Sequence, residues 1–390
     1  MESFILISIL IIGSLWLILL GASFWGISRT WVIDESSPRD LPPTPPFVSI
    51  LVPARNEEPN IGKCLESLLA QDYPHFEIIV ANDRSTDRTE QIVRELAQRF
   101  PPLRLLNVDQ LPEGWTGKTH ALHLASKEAR GEWLVFTDAD TYHSPTCLRR
   151  AMNHILRHKA DLFSTVGRMD NQTWWEKCLT PLLGLALMMW YPPPLVNSTR
   201  IKLGFANGQF IIARRSAYDA FGGHESVRSE LLEDIAMGKR AKQFGFRVRL
   251  ALAPNLYTTR MYPDFRRFFY GWSRILLNGL DKSPFKLAAF FFFGLVMSIY
   301  PTVLMVVSGI VFLVDPELVT GLVFLVCVLV YLIKVWTVSH TYFVSRSQRR
   351  YAFLNPISTL VVLAIVAHAF YKVVHPTGRI EWRGTQYSAR

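Results

Sequence analysis

Four stretches of the chain, 4–27, 288–314, 318–333 and 353–371, contain no Asp, Glu, Lys or Arg. A run of about 20 apolar residues crosses a bilayer as a helix, so the pattern predicts about four transmembrane helices, one at the start and three near the end. Pro301 falls inside the second stretch, where a membrane helix tolerates a kink. The third stops against Lys334, whose long stem is expected to carry its ammonium out to the interface. Between residues 47 and 260 the rhythm changes. Short β-branched and aromatic runs at 47–53, 76–81, 103–108 and 133–138 predict strands. Between them Ile61, Leu65, Leu68 and Leu69 share one helical face, Ile92, Val93 and Leu96 mark a second helix over 89–100, and a third is predicted over 119–129. Strands alternating with helices imply an α/β domain: a Rossmann-like, mostly parallel sheet, helices on both faces, and a site at the strand C-termini. That topology sets the loops 54–58, 82–87 and 138–142 side by side.

Composition fits this division. The chain has 390 residues, 49% of them hydrophobic, and a formal charge of +10, enough for one large soluble domain plus spans. Basic residues near span ends set orientation. Glu2 precedes the first span and Arg29 follows it, which makes the next domain cytoplasmic in a multi-pass protein of the cell membrane. Asp315 and Glu317 fit the outside, and Arg346, Arg349 and Arg350 fit the inside. A fourth crossing leaves Arg379, Arg383 and Arg390 outside, so the fourth stretch either breaks the rule or is re-entrant. The first stretch has no basic leader and no small-residue cleavage site, and is expected to stay as an anchor. Cys64, Cys147, Cys178 and Cys327 show neither paired nor metal-ligand spacing. SSPRDLPPTPP at 36–46 is a stiff, Pro-rich linker.

The candidate chemistry lies in the loops. WLVFTDAD at 133–140 runs a strand into Asp138 and Asp140, whose spacing lets both carboxylates face one spot. Two such carboxylates repel unless a cation lies between them, and a sparse oxygen-only set suits Mg²⁺ or Mn²⁺ held jointly with phosphates. Taken alone, so short a pattern also fits an acidic, solvated turn. NDRSTD at 82–87 offers Asp83 as an acceptor for a base edge and Asp87 as a helix cap. GWTGKT at 114–119 lacks the Walker spacing and does not follow directly on a strand, which excludes a P-loop NTPase; Lys118, near a helix start, is still placed to meet a diphosphate. Further on, 207–213 reads as a strand after a Gly turn, FGG at 221–223 as a turn, and 230–244 as a helix with Leu231, Leu232, Ile235 and Met237 as apolar members. Its early residues include Glu233 and Asp234, a pair that the helix dipole alone would favour.

Two segments belong to the membrane side. Residues 174–195 are rich in Trp and Met, and FRRFFYGWSRILL at 265–277 interleaves Arg266, Arg267 and Arg274 with aromatics. Such interleaving occurs in binders of single-stranded nucleic acid. Beside transmembrane segments it reads instead as an interfacial amphipathic helix, so the bilayer and no nucleic acid is the expected partner. Together the two segments suit an entry path for a lipid. The few charges within the spans speak against an ion transporter.

Taken in order, VSILVPARNEE, NDRSTD, GKTHAL, DAD and the E-D after F-G-G resemble the inverting glycosyltransferases of family 2, which have a GT-A fold. The resemblance covers 48–252. It implies substrate contacts from Pro53, Ala54, Arg55 and Glu57, base recognition by Asp83, and a place for Lys118 beside the substrate. It also implies Asp138 near the ribose and metal, Asp140 on the metal, Glu233 on the substrate side and Asp234 as the general base. Asn82 stands where the family usually has Asp. The Q-x-x-R-W motif of polymerising members is absent, which argues against a processive polysaccharide synthase; Trp272 and Arg274, in GWSR, are the nearest substrate-side equivalents. The tail RIEWRGTQY at 379–387, the N-D loop, the GWT stretch and the membrane layout are similar to bacterial glycosyltransferases that act on carotenoid acids and related triterpenoid lipids. Some of those lack the E-D pair.

The organisation expected is an N-terminal anchor (1–30), the linker (31–46), a cytoplasmic GT-A domain (47–260), an interfacial amphipathic segment (261–287), C-terminal transmembrane helices (288–374) and a basic tail (375–390). The function expected is metal-dependent, inverting transfer of a hexose from a nucleotide sugar, a UDP-sugar by default, to a hydroxyl or carboxyl of a membrane lipid of carotenoid, hopanoid or glycerolipid type. The alternatives are a polyprenyl-phosphate sugar transferase and a non-catalytic, lipid-binding or transport-associated module. Retention of Asp83, Asp138, Asp140 and Asp234 speaks against the last.

Overall fold

A computed structural model describes residues 2–375, 379–382 and 385–388, so Arg383 and Arg390 of the expected basic tail lie outside the described residues. The chain divides into two units. One comprises Met1–Ser28, Asn171–Met189 and Tyr262–Arg390, the other Arg29–Asp170 and Trp190–Met261.

Helix α1 (Glu2–Ser28) opens the first unit. The second unit then runs β1 (Trp31–Val32), β2 (Val48–Ala54), α2 (Ile61–Leu69), β3 (Phe76–Asp83), α3 (Thr89–Arg99), β4 (Leu103–Val108), α4 (Gly117–Glu128), β5 (Trp133–Thr137), β6 (Thr141–His143), α5 (Cys147–Arg157), β7 (Leu162–Val166) and β8 (Arg168–Met169). After α6 (Trp174–Trp190) come α7 (Pro193–Val196), β9 (Phe210–Arg214), α8 (Arg215–Ala220), α9 (Glu233–Gln243), β10 (Val248–Leu252) and β11 (Tyr257–Thr259). Eight strands form one sheet in the order β1-β10-β7-β9-β5-β2-β3-β4. Its pairs are parallel except where β9 meets β5 and β7 antiparallel. The expected α/β, mostly parallel sheet is therefore present.

Both faces of this sheet are covered. Ile50, Val52, Val135 and Ile212 enter one core with α2 and α5 residues such as Leu65 and Met152. Leu51, Leu134, Phe136 and Ile211 enter the other with Ala121 of α4 and Met237 of α9. A strand buried on both faces has no polar side, so it reads as a continuous apolar run. The reversed strand β9 has a consequence for the site: its N-terminal end lies beside the C-terminal end of β5, with Thr137 opposite Phe210.

One predicted helix is shorter than expected. It was expected over 230–244, yet α9 starts at Glu233, with Leu232 in a non-helical turn before it. Glu233 and Asp234 thus occupy the first turn, where free N–H groups favour negative charge.

The first unit continues with α10 (Phe265–Gly279), α11 (Pro284–Gly294), α12 (Tyr300–Val314), α13 (Leu318–Val344) and α14 (Asn355–Val374), then an antiparallel pair, β12 (Arg379–Trp382) and β13 (Thr385–Ser388). Among the described residues, five stretches are long and apolar enough to cross a membrane: Phe4–Ser28, Trp174–Val196, Pro284–Val314, Leu318–Val344 and Arg349–Val374. The one beyond the expected four is Trp174–Val196, a segment expected on the membrane side as part of a lipid entry path. Helix α14 is continuous over 20 residues, about 30 Å at 1.5 Å per residue, which matches the hydrocarbon thickness.

Between α11 and α12 the chain makes a π-helical turn, Leu295–Ile299. Pro301 follows it and has no N–H to offer the Met297 carbonyl; that carbonyl accepts from Trp16 Nε1 at 2.8 Å instead. The Ser298 carbonyl accepts from Thr302 Oγ1 at 2.8 Å and Lys334 Nζ at 3.1 Å. Lys334 therefore does not snorkel as expected. It is fully buried within α13, and its ammonium also donates to Thr302 Oγ1 at 2.7 Å.

Candidate active site

The loops after β2 and β3 are tied together as their order predicted. Asn56 N donates to Ser85 Oγ at 3.0 Å, Glu57 N to Thr89 Oγ1 at 2.8 Å, and Glu58 N to Asp87 Oδ2 at 3.0 Å. In return Thr86 N donates to Asn56 Oδ1 at 2.8 Å. Asp87 also takes the Thr89 N–H at 3.0 Å, from one position before the N-cap residue Arg88 rather than as the cap itself. Pro53 lies in β2 as expected, and Ala54, read as the first loop residue, is the last residue of that strand. The buried Glu57 accepts from Asn60 Nδ2 at 3.0 Å.

Asp83 ends β3 and is almost fully buried. Its Oδ1 accepts from Arg84 Nε at 2.7 Å, and Arg55 Nη1 lies 3.8 Å from Oδ2. A Cβ added to Gly117, at the start of α4, would stand 2.3 Å from Asp83 Oδ2. Glycine is needed there for the carboxylate to face the helix start. Asn82 donates to Asn107 Oδ1 of the neighbouring β4 at 3.0 Å, so the amide that replaces the usual Asp has its own partner.

One residue along α4, Lys118 gathers the remaining acids. Its Nζ is 2.6 Å from Asp138 Oδ1 and 2.8 Å from Glu233 Oε1. Burial disfavours the ammonium, but Asp138, Glu233 and Asp234 outweigh it and hold the Lys118 pKa above the ordinary lysine value. Asp234 lies in the same pocket, lined also by Pro53, Gly208 and His224. Its Oδ2 accepts from Gly208 N at 2.7 Å and its Oδ1 from Ile235 N at 2.8 Å. Burial and the neighbouring Glu233 charge raise the Asp234 pKa to about 6, against the opposing pull of Lys118 and the two backbone N–H groups.

Asp138 and Asp140 follow β5 in the turn before β6, within the loop expected at 138–142. Asp138 reaches Lys118. Asp140 lies close enough to Cys64 and Tyr142 that, after burial, its charge is the next cause raising both their pKa values. Among the described residues no three His, Cys, Asp or Glu side chains gather as a closed cage for an ion. An open set of carboxylate oxygens is the donor chemistry of a cation that completes its shell with substrate phosphates, so these residues fit Mg²⁺ or Mn²⁺ better than a resident structural metal.

Three participants escaped the sequence reading. Gly208 supplies a backbone N–H, which no side-chain pattern announces. Arg84 pairs with Asp83 from the next position, in a loop read only for its acids. His224 follows F-G-G directly and lines the pocket. It is buried, its Nδ1 is 2.8 Å from Tyr218 Oη, and burial together with Lys118 pushes its pKa down to about 3, which keeps it neutral. Trp272 and Arg274 belong to the other unit, on α10. There Trp272 is buried with its ring 6.2 Å from that of Phe268, and the intervening Ser273 hydrogen-bonds His368 Nδ1 at 2.9 Å.

The pocket lies at the C-terminal edge of a mostly parallel sheet, where open α/β enzymes bind their ligands. In architecture the chain resembles the mannosyltransferase PcManGT of Pyrobaculum calidifontis, in complex with GDP-Man and Mn²⁺, with a TM-score of 0.56 and 18% identity over 96% of this chain and 99% of that one. Residues 49–222 match the model of glycosyl transferase family 2. The chain carries a family 2 glycosyltransferase domain of GT-A fold and is a glycosyltransferase. A 4,4'-diaponeurosporenoate glycosyltransferase of Staphylococcus aureus is 25% identical to it, over 87% of this chain and 88% of the relative. A beta-monoglucosyldiacylglycerol synthase of Nostoc sp. is 31% identical, over 48% of this chain and 40% of the relative. Glu233 and Asp234 lie beyond the matched family stretch.

Proposed function

We propose that the chain is a membrane-bound, inverting glycosyltransferase. It moves a hexose from a nucleotide sugar to the hydroxyl or carboxyl of a membrane lipid, with the GT-A unit in the cytoplasm. The observation that carries this reading is the convergence of Lys118, Asp138, Glu233 and Asp234 in one pocket of a GT-A sheet. The relatives support a lipid acceptor, since one is named for diaponeurosporenoate and the other for monoglucosyldiacylglycerol. The GDP-Man and Mn²⁺ bound to PcManGT support a nucleotide-sugar donor and a divalent cation. The exposed Arg266 and Arg267 on the amphipathic α10 suit a bilayer surface.

In this reading Asp83 accepts from the nucleotide base, with Pro53, Ala54, Arg55 and Glu57 in the adjoining wall. Asp138 and Asp140 would hold the Mg²⁺ or Mn²⁺, which would supply positive charge to the diphosphate leaving group. Lys118 adds an ammonium on the same side. Asp234 takes the proton of the acceptor hydroxyl while that oxygen bonds to the anomeric carbon. The bond from that carbon to the diphosphate oxygen breaks, and its electron pair leaves with the diphosphate. A single displacement from the opposite face inverts the configuration.

A base works only when ionised. Asp234 titrates near 6 in a pocket it shares with Glu233, Lys118 and the neutral His224. The kcat/KM is therefore expected to rise about tenfold per pH unit below about 6 and to level off above it. A profile flat between pH 5 and 8 would remove Asp234 from the role.

A further inference from the structure

We infer that the sheet edge opposite the catalytic pocket carries a second binding site, which takes an organic phosphate with an apolar body. A cavity of about 430 Å³ opens there among Trp133, Ile155, Lys159, Asp161, Arg214 and Arg247. That volume falls in the range of small-molecule sites. The strand register separates it from the pocket of Asp234. Trp133 begins β5 and pairs with Arg214, the last residue of β9, whereas Thr137 and Phe210 pair at the catalytic end. About 13 Å of strand lies between the two ends, and the two cavities share no lining residue.

Asp161 organises the site. Its N–H donates to the Arg247 carbonyl at 2.9 Å, and its carbonyl accepts from Arg214 N at 2.8 Å. Its carboxylate accepts from Arg247 N at 2.9 Å through Oδ2 and pairs with Arg214 Nη2 at 3.1 Å through Oδ1. Segments distant in sequence are thus tied at one residue, with their cations around one concavity. Among the described residues lining the cavity Asp161 is the one acid, and both its oxygens already have partners. The exposed Lys159 and Arg247 side chains remain as surplus positive charge. A guanidinium forks onto phosphate oxygens, and an ammonium adds a point charge. The Arg214 guanidinium lies 5.5 Å from the Trp133 ring centroid, which joins the charged rim to a buried apolar lining of Trp133 and Ile155. An organic phosphate covers that lining, and an inorganic ion does not.

The place of Lys159 adds a second observation. Ala160 N donates to the Ile155 carbonyl at 3.0 Å and Lys159 N to the Leu156 carbonyl at 3.2 Å, the pair of bonds that closes a helix through a left-handed residue. They occupy two carbonyls at the end of α5 that would otherwise repel an anion. Glycine usually fills the left-handed position. Here a lysine does, at φ 49°. Glycine would close α5 with less strain, but would bring no charge to the cavity.

Equilibrium dialysis of the purified full chain in detergent against 1-naphthyl phosphate tests the site, with EDTA present so that no cation draws phosphate to Asp138 and Asp140. The expected result is one molecule bound per chain, and binding about tenfold or more weaker in Lys159→Gly and in Arg247→Gln. Glycine suits the left-handed position, so Lys159→Gly is expected to keep the parent's melting temperature within a few degrees. Lys118→Gln, in the catalytic pocket, is expected to bind the probe as the parent does. Glycerol 3-phosphate and phosphatidic acid in mixed micelles then compete for the site. Displacement by glycerol 3-phosphate supports a soluble ligand, and displacement by phosphatidic acid alone supports a lipid headgroup. The inference is overturned if the probe does not bind, or if either Lys159→Gly or Arg247→Gln leaves its binding intact. It is overturned equally if neither competitor displaces the probe, or if folded Lys118→Gln loses it.

Discussion

Asp234→Asn is expected to lower kcat by about 10² to 10⁴-fold, the range that general bases contribute, while nucleotide affinity stays within a few-fold. The substitution keeps the side-chain shape and removes its capacity to take a proton. Its structural cost is foreseeable. Gly208 N and Ile235 N each donate to a different oxygen of Asp234, and an amide accepts through one atom only. A lowered melting temperature alone is therefore no sign of catalytic loss, and single-turnover rates at saturating donor are the proper readout. Glu233 remains to hold Lys118 at 2.8 Å, so the donor side of the pocket keeps its ion pair. A variant that turns over within tenfold of the parent would place the base elsewhere.

Asp140→Asn, and EDTA treatment of the unsubstituted protein, are each expected to cut transfer about 10²-fold or more, since a cation at a leaving group is worth several kcal/mol. Added Mn²⁺ restores the EDTA-treated protein and fails to restore the variant. Asp140 is a cleaner target than Asp138. The Asp138 carboxylate is ion-paired to Lys118 at 2.6 Å, so its removal also releases the ammonium and mixes two effects. Asp140 lies instead toward Cys64 and Tyr142. Manganese titration followed by electron paramagnetic resonance, with and without UDP or GDP, separates lost cation binding from lost chemistry. Transfer that EDTA leaves unchanged would contradict a metal-assisted departure.

The sheet was legible because burial on both faces leaves its central strands largely apolar, as Leu51 beside Ile50 and Val52 illustrates. The loops were legible because strand order fixes which strand ends adjoin. Short strands such as β7, LFSTV, and β10, VRLAL, were not, because polar residues interrupt them and pairing decides their state. The site was legible where it consists of carboxylates in order. It was not where it depends on a backbone N–H, as at Gly208. Lys334 shows the same limit in the apolar part of the chain. Sequence spacing suggested an ammonium reaching for the interface, whereas Pro301 and the π turn before it leave carbonyl groups that bring it inward.

The central claim is transfer of a sugar from a nucleotide to a membrane lipid. It is tested most directly by incubating the purified full chain with common UDP- and GDP-sugars and lipid extract, with Mn²⁺ or with EDTA, and weighing the lipid products by mass spectrometry. The expected result is a lipid heavier by one hexose that forms with Mn²⁺ and not with EDTA. Folded protein that binds no nucleotide and yields no such product with any donor would contradict the claim.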